Sequence, residues 1–204
     1  MKSLLLVGGG GHCHSCIDVI EATEIYQIKG LVQPELSSEL ILGYPIIGSD
    51  EDLPILLKDI KSALVTVGQI RNPEIRIRLF DLLKQLGAEL PVIISPRAYC
   101  SKHAVLGEGL IVMHGAIINS AACIGNNCII NSQALIEHDV EIDDHCHIST
   151  GARVNGNVTI GKRSFVGSGA VVKEGINIGE NVIIGAGQVI SQDVSSGTVV
   201  KHDE

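Results

Sequence analysis

The chain has 204 residues, of which 45% are hydrophobic and only 2% aromatic, which predicts a folded protein with an aliphatic core. Its formal net charge of −8 and pI of about 5.4 argue against nucleic acids and anionic membranes as partners. The apolar N-terminal run is too short for a signal peptide and no stretch of about 18 apolar residues exists, so we expect a soluble, cytoplasmic protein with reduced cysteines.

The first half of the chain alternates short apolar runs with helical patterns. Strands are predicted over 3–7, 28–32, 62–68 and 89–94, and helices over 13–22, 50–60 and 73–87. This alternation predicts an α/β domain with a small Rossmann-like parallel sheet, whose ligand lies beyond the carboxyl ends of the strands. Because all six prolines precede residue 97, we place a domain boundary between 1–95 and 96–204.

The second half follows a strict period of six residues. A branched aliphatic residue recurs at every sixth position from Leu106 to Ile190, fifteen times in succession. This period predicts an all-β parallel β-helix in which three steps close one triangular coil. Residues eighteen apart, such as Cys128 and Cys146, then stack about 4.8 Å from each other. We expect these two cysteines to be buried thiols.

Four motifs carry a resemblance to a known family. They read LLLVGGGGHCHSCIDVIE, VTVGQIRNPEIRIRLF, INSQALIEHDVEI and HISTGARVNGNVTIGKRSFVGSGAVV. The chain resembles the hexapeptide-repeat acyltransferases, and most closely the sialic acid biosynthesis O-acetyltransferase-like family. Studied bacterial members include N-acetyltransferases that act on nucleotide-linked 4-amino-4,6-dideoxy sugars. The resemblance implies a left-handed β-helix and a homotrimer that binds acetyl-CoA in the cleft between adjacent β-helices.

The resemblance also implies the catalytic residues. His138 matches the family's catalytic histidine, and Asp139 matches the acidic residue beside it. Acyl transfer from a thioester needs a base that takes a proton from the attacking amine, and an imidazole that titrates near neutrality suits that task. A carboxylate partner favours the imidazolium and fixes the tautomer. Without the family match, His138 reads as a polar residue of a solvent-exposed turn.

The acetyl-CoA contacts are likewise implied by resemblance. His147 matches a position near the thioester, where its imidazole or a backbone N–H would hold the carbonyl as negative charge develops. Gly156, Ser168 and Ala186 match positions that line the pantetheine cleft. Small residues also suit the turns that these three occupy.

The substrate contacts come from the first half of the chain. Gly10, Gly11 and His12 match family positions that contact the sugar nucleotide, and Gly68 and Arg76 lie in the family's second contact region. Glycines between a strand and a helix let the backbone approach a phosphate group.

Two other ligand classes are not expected. The glycine spacing lacks the third glycine of a dinucleotide fingerprint, and the second predicted strand ends in Gln33 rather than an acid, so we do not expect NAD. The stretches 12–16 and 138–147 are rich in histidine and cysteine, but their side chains crowd one helix start or diverge from a strand. No metal site is therefore predicted.

The sequence departs from the family in two places. Gln33 and Pro34 stand where the family often has two aspartates that read a uridine base, so UDP-linked, GDP-linked and free sugar acids all stay open. The chain ends with KHDE at 201–204, where the family commonly continues with a segment that closes the acetyl-CoA cleft. We expect weaker CoA binding or a substitute segment.

Three functions follow from these residues and the resemblance. The first is an acetyl-CoA-dependent N-acetyltransferase acting on the 4-amino group of a UDP- or GDP-linked 4-amino-4,6-dideoxy sugar, in surface glycan or legionaminic-type acid biosynthesis. The second is an O-acetyltransferase of sialic or other nonulosonic acids. The third is a non-catalytic trimeric scaffold of the same pathway.

Overall fold

The N-terminal half forms a four-stranded parallel sheet in the order β3-β2-β1-β4. A computed structural model describes residues 1–35 and 38–201 of the chain. The strands are β1 Lys2–Val7, β2 Tyr26–Val32, β3 Ile46–Gly48 and β4 Ser62–Val65. The helices are α1 Gly11–Thr23, α2 Leu53–Asp59 after a 3-10 turn at Asp50–Asp52, and α3 Glu74–Gln85. The prediction of a small parallel α/β sheet is confirmed.

One predicted strand of this sheet is wrong. Within 89–94, Glu89 makes a single bridge to Ser62 of β4, and the next pairing, Ile93–Ile94, belongs to the β-helix. Pro91 lies between the two and has no N–H to donate to a ladder, which explains why no strand continues across it. The strand β3 was not predicted because it is only three residues long and directly follows Pro45. The domain boundary near residue 95 stays a prediction, and the β-helix strands begin just before it.

The second half is a left-handed β-helix with three parallel sheets, here called the first, second and third face. The first face consists of Ile93–Ile94, Ile111–Val112, Ile129–Ile130, His147–Ile148, Phe165–Val166, Ile183–Ile184 and Val199–Val200. The second consists of Tyr99–Cys100, Ile117–Ile118, Leu135–Ile136, Arg153–Val154, Val171–Val172 and Val189–Ile190. The third consists of Val105–Leu106, Cys123–Ile124, Glu141–Ile142, Thr159–Ile160 and Asn177–Ile178.

The register of the faces confirms the eighteen-residue coil. Ile124 pairs with Ile142, and Ile142 pairs with Ile160, so the inward aliphatic residues form continuous buried columns. Cys128 and Cys146 are fully buried free thiols, and the backbone N–H of Cys146 donates to Sγ of Cys128 over 3.4 Å. Burial of these columns removes apolar surface from water and is the main stabilising term of the β-helix.

Each corner of the β-helix is a short turn with a left-handed residue. Asp139, His145 and Asn157 have φ of 58°, 62° and 58°, and the pattern recurs every six residues along the coils. The first corner joins the first face to the second through turns such as 131–133, 149–151 and 167–169. The second corner joins the second face to the third through turns such as 137–139 and 155–157. Side chains on the two corners therefore lie on opposite edges of the second face.

The three faces differ in what covers them. Helix α1 packs Cys16 and Ile17 against Ile111 and Ile129 of the first face, which joins the two halves of the molecule. The second face instead exposes apolar side chains to solvent. These are Tyr99, Ile117 and Val189, which are 59%, 40% and 71% exposed. Apart from Arg153, whose outward side chain is also exposed, this face is a solvent-exposed apolar strip in the single chain.

Candidate active site

A cavity of about 540 Å³ lies where the carboxyl ends of β1 and β4 meet the first face and first corner of the β-helix. The residues that line it are Gly10, Gly11, His12, Val67, Gly68, Gln69, Ile70, Asn131, His147, Ser149, Phe165 and Ser168. It therefore brings the predicted substrate residues of the α/β half together with two predicted acetyl-CoA residues of the β-helix.

The glycines after β1 shape the floor of this cavity. A Cβ on Gly8, whose φ is 112°, would lie 2.4 Å from Val67, so the chain passes close under the neighbouring loop. Gly10 and Gly11 have no atom within 4 Å of a built Cβ and face open space. Helix α1 begins at Gly11 and has no side-chain cap; the N–H of Cys13 donates to the carbonyl of Gly10 over 2.8 Å, and the N–H groups of Gly11 and His12 can serve an anion in the cavity.

His147 is held by hydrogen bonds at both ring nitrogens. Its Nδ1 donates to the carbonyl of Gln69 over 2.5 Å, and its Nε2 accepts from Nδ2 of Asn131 over 3.0 Å. A carbonyl only accepts, so the proton sits on Nδ1. Burial and, to a smaller extent, the charge of Arg76 lower the pKa of His147 to about 4 despite the Gln69 carbonyl, so the ring is neutral at pH 7.

The predicted carbonyl-holding role of His147 does not fit this geometry. Its ring N–H is bonded to Gln69, and its backbone N–H donates to the carbonyl of Ser164 over 3.0 Å. Neither donor is therefore free to bind a thioester oxygen. The ring lines the cavity, packs edge-on against Phe165, and anchors the loop that carries Gln69.

His12 is the second imidazole of the cavity. Its ring centroid lies 6.4 Å from that of His147. Burial lowers the pKa of His12 to about 3, and the nearby Arg76 and His147 add to this effect, so the ring is neutral at pH 7. Its Nε2 is buried and has no hydrogen-bond partner within 1–35 and 38–201.

The prediction that Arg76 contacts the substrate is not supported by its position. Arg76 is 1% exposed and does not line the cavity. Its guanidinium donates to the backbone carbonyls of Val65, Val67 and Asn127. The residue is buried because the helix face on which it lies packs between the α/β sheet and the β-helix.

His138 and Asp139 form a hydrogen-bonded pair on the second corner. Nδ1 of His138 lies 2.7 Å from Oδ2 of Asp139, and both side chains are exposed. The left-handed backbone of Asp139 turns its carboxylate back onto the ring. With the proton of Nδ1 directed at the carboxylate, Nε2 presents its lone pair to solvent, as a general base requires.

Within one chain, His138 does not reach the cavity. The cavity opens at the first corner and His138 lies on the second, so the second face separates them. The predicted acetyl-CoA residues divide in the same way. Ser168, which contacts Oγ of Ser149 over 2.9 Å, and Ala186 are on the first corner, whereas Gly156 lies against His138. A single subunit thus holds two separate halves of the predicted site.

Comparisons with known proteins agree with this architecture. The family model of the PglD N-terminal domain matches residues 3–83, that of the bacterial transferase hexapeptide (six repeats) matches 124–156, and that of the hexapeptide repeat of succinyl-transferase matches 157–192. Among solved structures, a mutant perosamine N-acetyltransferase from Caulobacter crescentus in complex with CoA and GDP-perosamine is 30% identical, with a TM-score of 0.93 and coverage of 100% of this chain and 98% of that one. The acetyltransferase domain of PglB from Neisseria gonorrhoeae FA1090, in complex with acetyl coenzyme A, is 31% identical, with a TM-score of 0.91 and coverage of 97% and 95%.

The chain belongs to this family of hexapeptide-repeat acetyltransferases. The match to PerB from Caulobacter crescentus, in complex with CoA and GDP-perosamine, is of the same quality, at 31% identity and a TM-score of 0.90 over 98% of this chain and 93% of that one. The comparison with curated proteins found no match. The resemblance to the sialic acid biosynthesis O-acetyltransferase-like family is confirmed.

Six residues of this acetyltransferase's cavity were not predicted from the sequence: Val67, Gln69, Ile70, Asn131, Ser149 and Phe165. The repeat did contain a signal for part of this set. Outward positions of the first face read isoleucine at 93, 111 and 129 and then change to His147 and Phe165. The change marks the coil beyond which α1 no longer covers the first face and the side chains of that face line the cavity instead.

In the part of the chain that the structure describes, no three His, Cys, Asp or Glu side chains are grouped to hold a metal ion. Across those same residues, every helix is too short or too polar to span a membrane.

Proposed function

We propose that this acetyltransferase is a cytoplasmic enzyme that transfers the acetyl group of acetyl-CoA to the 4-amino group of a UDP- or GDP-linked 4-amino-4,6-dideoxy sugar. Its products would feed surface glycan or legionaminic-type acid biosynthesis. The observation that carries the proposal is the glycine-floored cavity at the N-terminus of α1, which suits a nucleotide diphosphate and adjoins the β-helix. Two similar structures, matched over 98% and 93% of their length, are complexes with CoA and GDP-perosamine.

The complete site would form in a homotrimer. Burying the apolar second face around a threefold axis places one edge of each face beside the opposite edge of the next subunit's face. The first corner of one subunit, with the cavity and Ser168, then meets the second corner of its neighbour, with His138 and Gly156. The exposed apolar strip through Ile117 supports this arrangement.

His138 acts as the general base in this proposal. The 4-amino nitrogen attacks the thioester carbon, and Nε2 of His138 takes the proton that the nitrogen loses. The carbon–sulfur bond of the tetrahedral intermediate then breaks, and the CoA thiolate leaves and takes up a proton. Asp139, 2.7 Å from Nδ1, stabilises the imidazolium that forms.

The remaining predicted residues bind rather than react. Gly10 and Gly11 offer backbone N–H groups to the phosphates, while His12 and Gly68 shape the cavity beside them. Across the subunit boundary, Gly156, Ser168 and Ala186 line the path for pantetheine. Removing the base by His138→Ala is expected to lower kcat by about two to four powers of ten while the trimer stays folded.

The test is a CoA thiol-release assay over a panel of UDP- and GDP-linked 4-amino sugars and free nonulosonic acids, with mass spectrometry of the product. Acetylation of the 4-amino group, lost in His138→Ala, is the expected result. Acetylation of a hydroxyl on a nonulosonic acid would instead support the O-acetyltransferase. A panel without turnover, combined with full biological activity of His138→Ala, would support the non-catalytic scaffold.

A further inference from the structure

Arg76 is a buried cation without a counter-ion. It is 1% exposed, and no carboxylate among residues 1–35 and 38–201 forms an ion pair with it. Burial lowers its pKa to about 10, which leaves it positively charged at neutral pH. The neighbouring thiol of Cys16 is also buried, and burial raises its pKa, so it carries no compensating charge. Such an unpaired buried charge is costly for a fold to keep.

The guanidinium fixes the loop 66–70 at its base. Nη1 donates to the carbonyls of Val65 and Val67 over 2.7 and 3.0 Å, at the end of β4. Nε donates to the carbonyl of Asn127 over 3.2 Å, and Nδ2 of Asn127 reaches the carbonyl of Arg76 over 3.4 Å. Arg76 therefore ties the end of the sheet to a turn of the β-helix.

The same loop forms one wall of the cavity. Its residues Val67, Gly68, Gln69 and Ile70 all line it. Gln69 extends the connection to the β-helix, because its Nε2 donates to the carbonyl of His145 over 2.9 Å. The position of this wall is thus set by Arg76 on one side and by the β-helix on the other.

The positive charge of Arg76 acts on the two imidazoles that line the cavity. It is one of the causes that lower the pKa of both His12 and His147, which line the cavity. In addition, Nη2 of Arg76 is buried without a hydrogen-bond partner in the described part of the chain. An uncompensated positive charge in a low-dielectric surrounding attracts an anion at a distance.

We propose that Arg76 is a positioning residue for a phosphate-bearing ligand: by donating to the carbonyls of Val67, Val65 and Asn127 it ties the loop 66–70 to the end of β4 and to the β-helix, and its unpaired charge favours an anionic group in the cavity without touching it. This rests on the proposed function only for the identity of the ligand as a nucleotide sugar. The N–H groups at the start of α1 contact the phosphate directly, and the positive charge of Arg76 attracts it electrostatically from outside the cavity.

The experiment is calorimetric binding of GDP, UDP and inorganic pyrophosphate to the full-length wild type and three variants. Arg76→Met removes the charge, Arg76→Lys keeps it, and Arg78→Met is the matched control, an exposed arginine two residues along α3. We expect Arg76→Met to weaken binding roughly 10- to 100-fold and Arg76→Lys to weaken it only a few-fold. Arg78→Met should bind as the wild type does. If Arg76→Met does not fold, Arg76→Gln replaces it as the uncharged variant.

Several results would overturn the role of Arg76: wild-type affinity in the folded uncharged variant, equal weakening in Arg76→Lys, or failure of the wild type to bind any of the three ligands. A purely structural role would lower thermal stability without changing the affinity of the folded fraction. Binding needs no turnover, so its dependence on Arg76 can hold even if no amino sugar is acetylated. Conversely, Arg76→Met could acetylate the nucleotide-linked sugar with the wild-type KM for that sugar. This result would contradict the role of Arg76 and leave the proposed function intact.

Discussion

His138 lies directly against Gly156 of the next coil. A Cβ built on Gly156 would be 2.7 Å from Cε1 and 2.8 Å from Nε2 of His138, closer than real Cβ atoms approach other heavy atoms. The backbone of Gly156 needs no left-handed conformation, so space alone requires glycine here. The lack of a side chain at Gly156 therefore leaves room for the imidazole of His138.

Gly156→Ala is expected to displace the imidazole without unfolding the protein, because a ring on a flexible side chain moves more easily than the backbone. We predict that kcat for acetyl transfer falls about 10- to 100-fold, since misplacement of the base by about 1 Å is enough for such a loss. Steady-state kinetics and calorimetric melting on the same sample measure both effects.

A double mutant provides the control for this prediction. In the His138→Ala background, Gly156→Ala should cause little further loss of activity, because the group that it displaces is already absent. Full activity of Gly156→Ala alone, or additive losses in the double mutant, would contradict the contact.

The apolar second face predicts the oligomeric state. Ile117→Asp places a negative charge on the second strand of that face and should shift the protein from trimer to monomer in light-scattering measurements, because burying an unpaired charge opposes association. Thr159→Asp is the matched control on the outward side of the third face. A trimer that survives Ile117→Asp but is lost in Thr159→Asp would mean that another face mediates assembly.

The buried imidazoles predict loss of stability at acid pH. Burial lowers the pKa values of His147 and His12 to about 4 and about 3, so below pH about 6.5 the unfolded chain takes up protons that the native chain does not. The free energy of unfolding should therefore fall with decreasing pH, by up to about 1.4 kcal/mol per pH unit for each histidine. Above pH about 7 this contribution is constant.

His147→Asn isolates this effect, because asparagine keeps an N–H for the Gln69 carbonyl but does not titrate. Urea unfolding at fixed protein concentration between pH 7 and pH 4.5 should give the variant a shallower pH slope than the wild type. His103→Asn, which removes an exposed imidazole, should keep the wild-type slope. Equal slopes in wild type and His147→Asn would show that His147 takes up its proton as readily in the native state as in the unfolded chain, against this prediction.

The repeat made the β-helix predictable, because one inward aliphatic residue at every sixth position from Leu106 to Ile190 is compatible with few other folds. The segment 89–94 was misplaced because its apolar run suits either sheet, and only the pairing of Ile93 with Ile111 decides between them. That pairing depends on contacts between residues distant in sequence.

The candidate site was predictable in part for a related reason. Motif matching selected Gly10 and Gly68, which line the cavity, whereas the catalytic role of His138 stays a prediction. It misread Arg76, because a motif shows that an arginine is present but not which way the helix face that carries it packs. Gln69 escaped notice because its importance comes from bonds to His145 and His147, far along the chain.

The central claim is that the cavity of one subunit works with His138 of the next, and mixed trimers test it most directly. Two inactive variants are needed: His138→Ala lacks the base, and Gly10→Leu fills the cavity, since nothing lies within 4 Å of a Cβ at Gly10. The two proteins are co-expressed with different tags, and trimers that carry both tags are purified. Homotrimers of each variant, treated in the same way, are the controls.

Random pairing in an equal mixture of the two subunits leaves about one site in four with both an intact cavity and an intact neighbouring His138. We therefore predict that the mixture recovers about a quarter of the wild-type acetyl transfer before tag selection, and that the doubly tagged trimers are active. Mixed trimers that remain as inactive as the two parent variants would contradict a site shared between subunits.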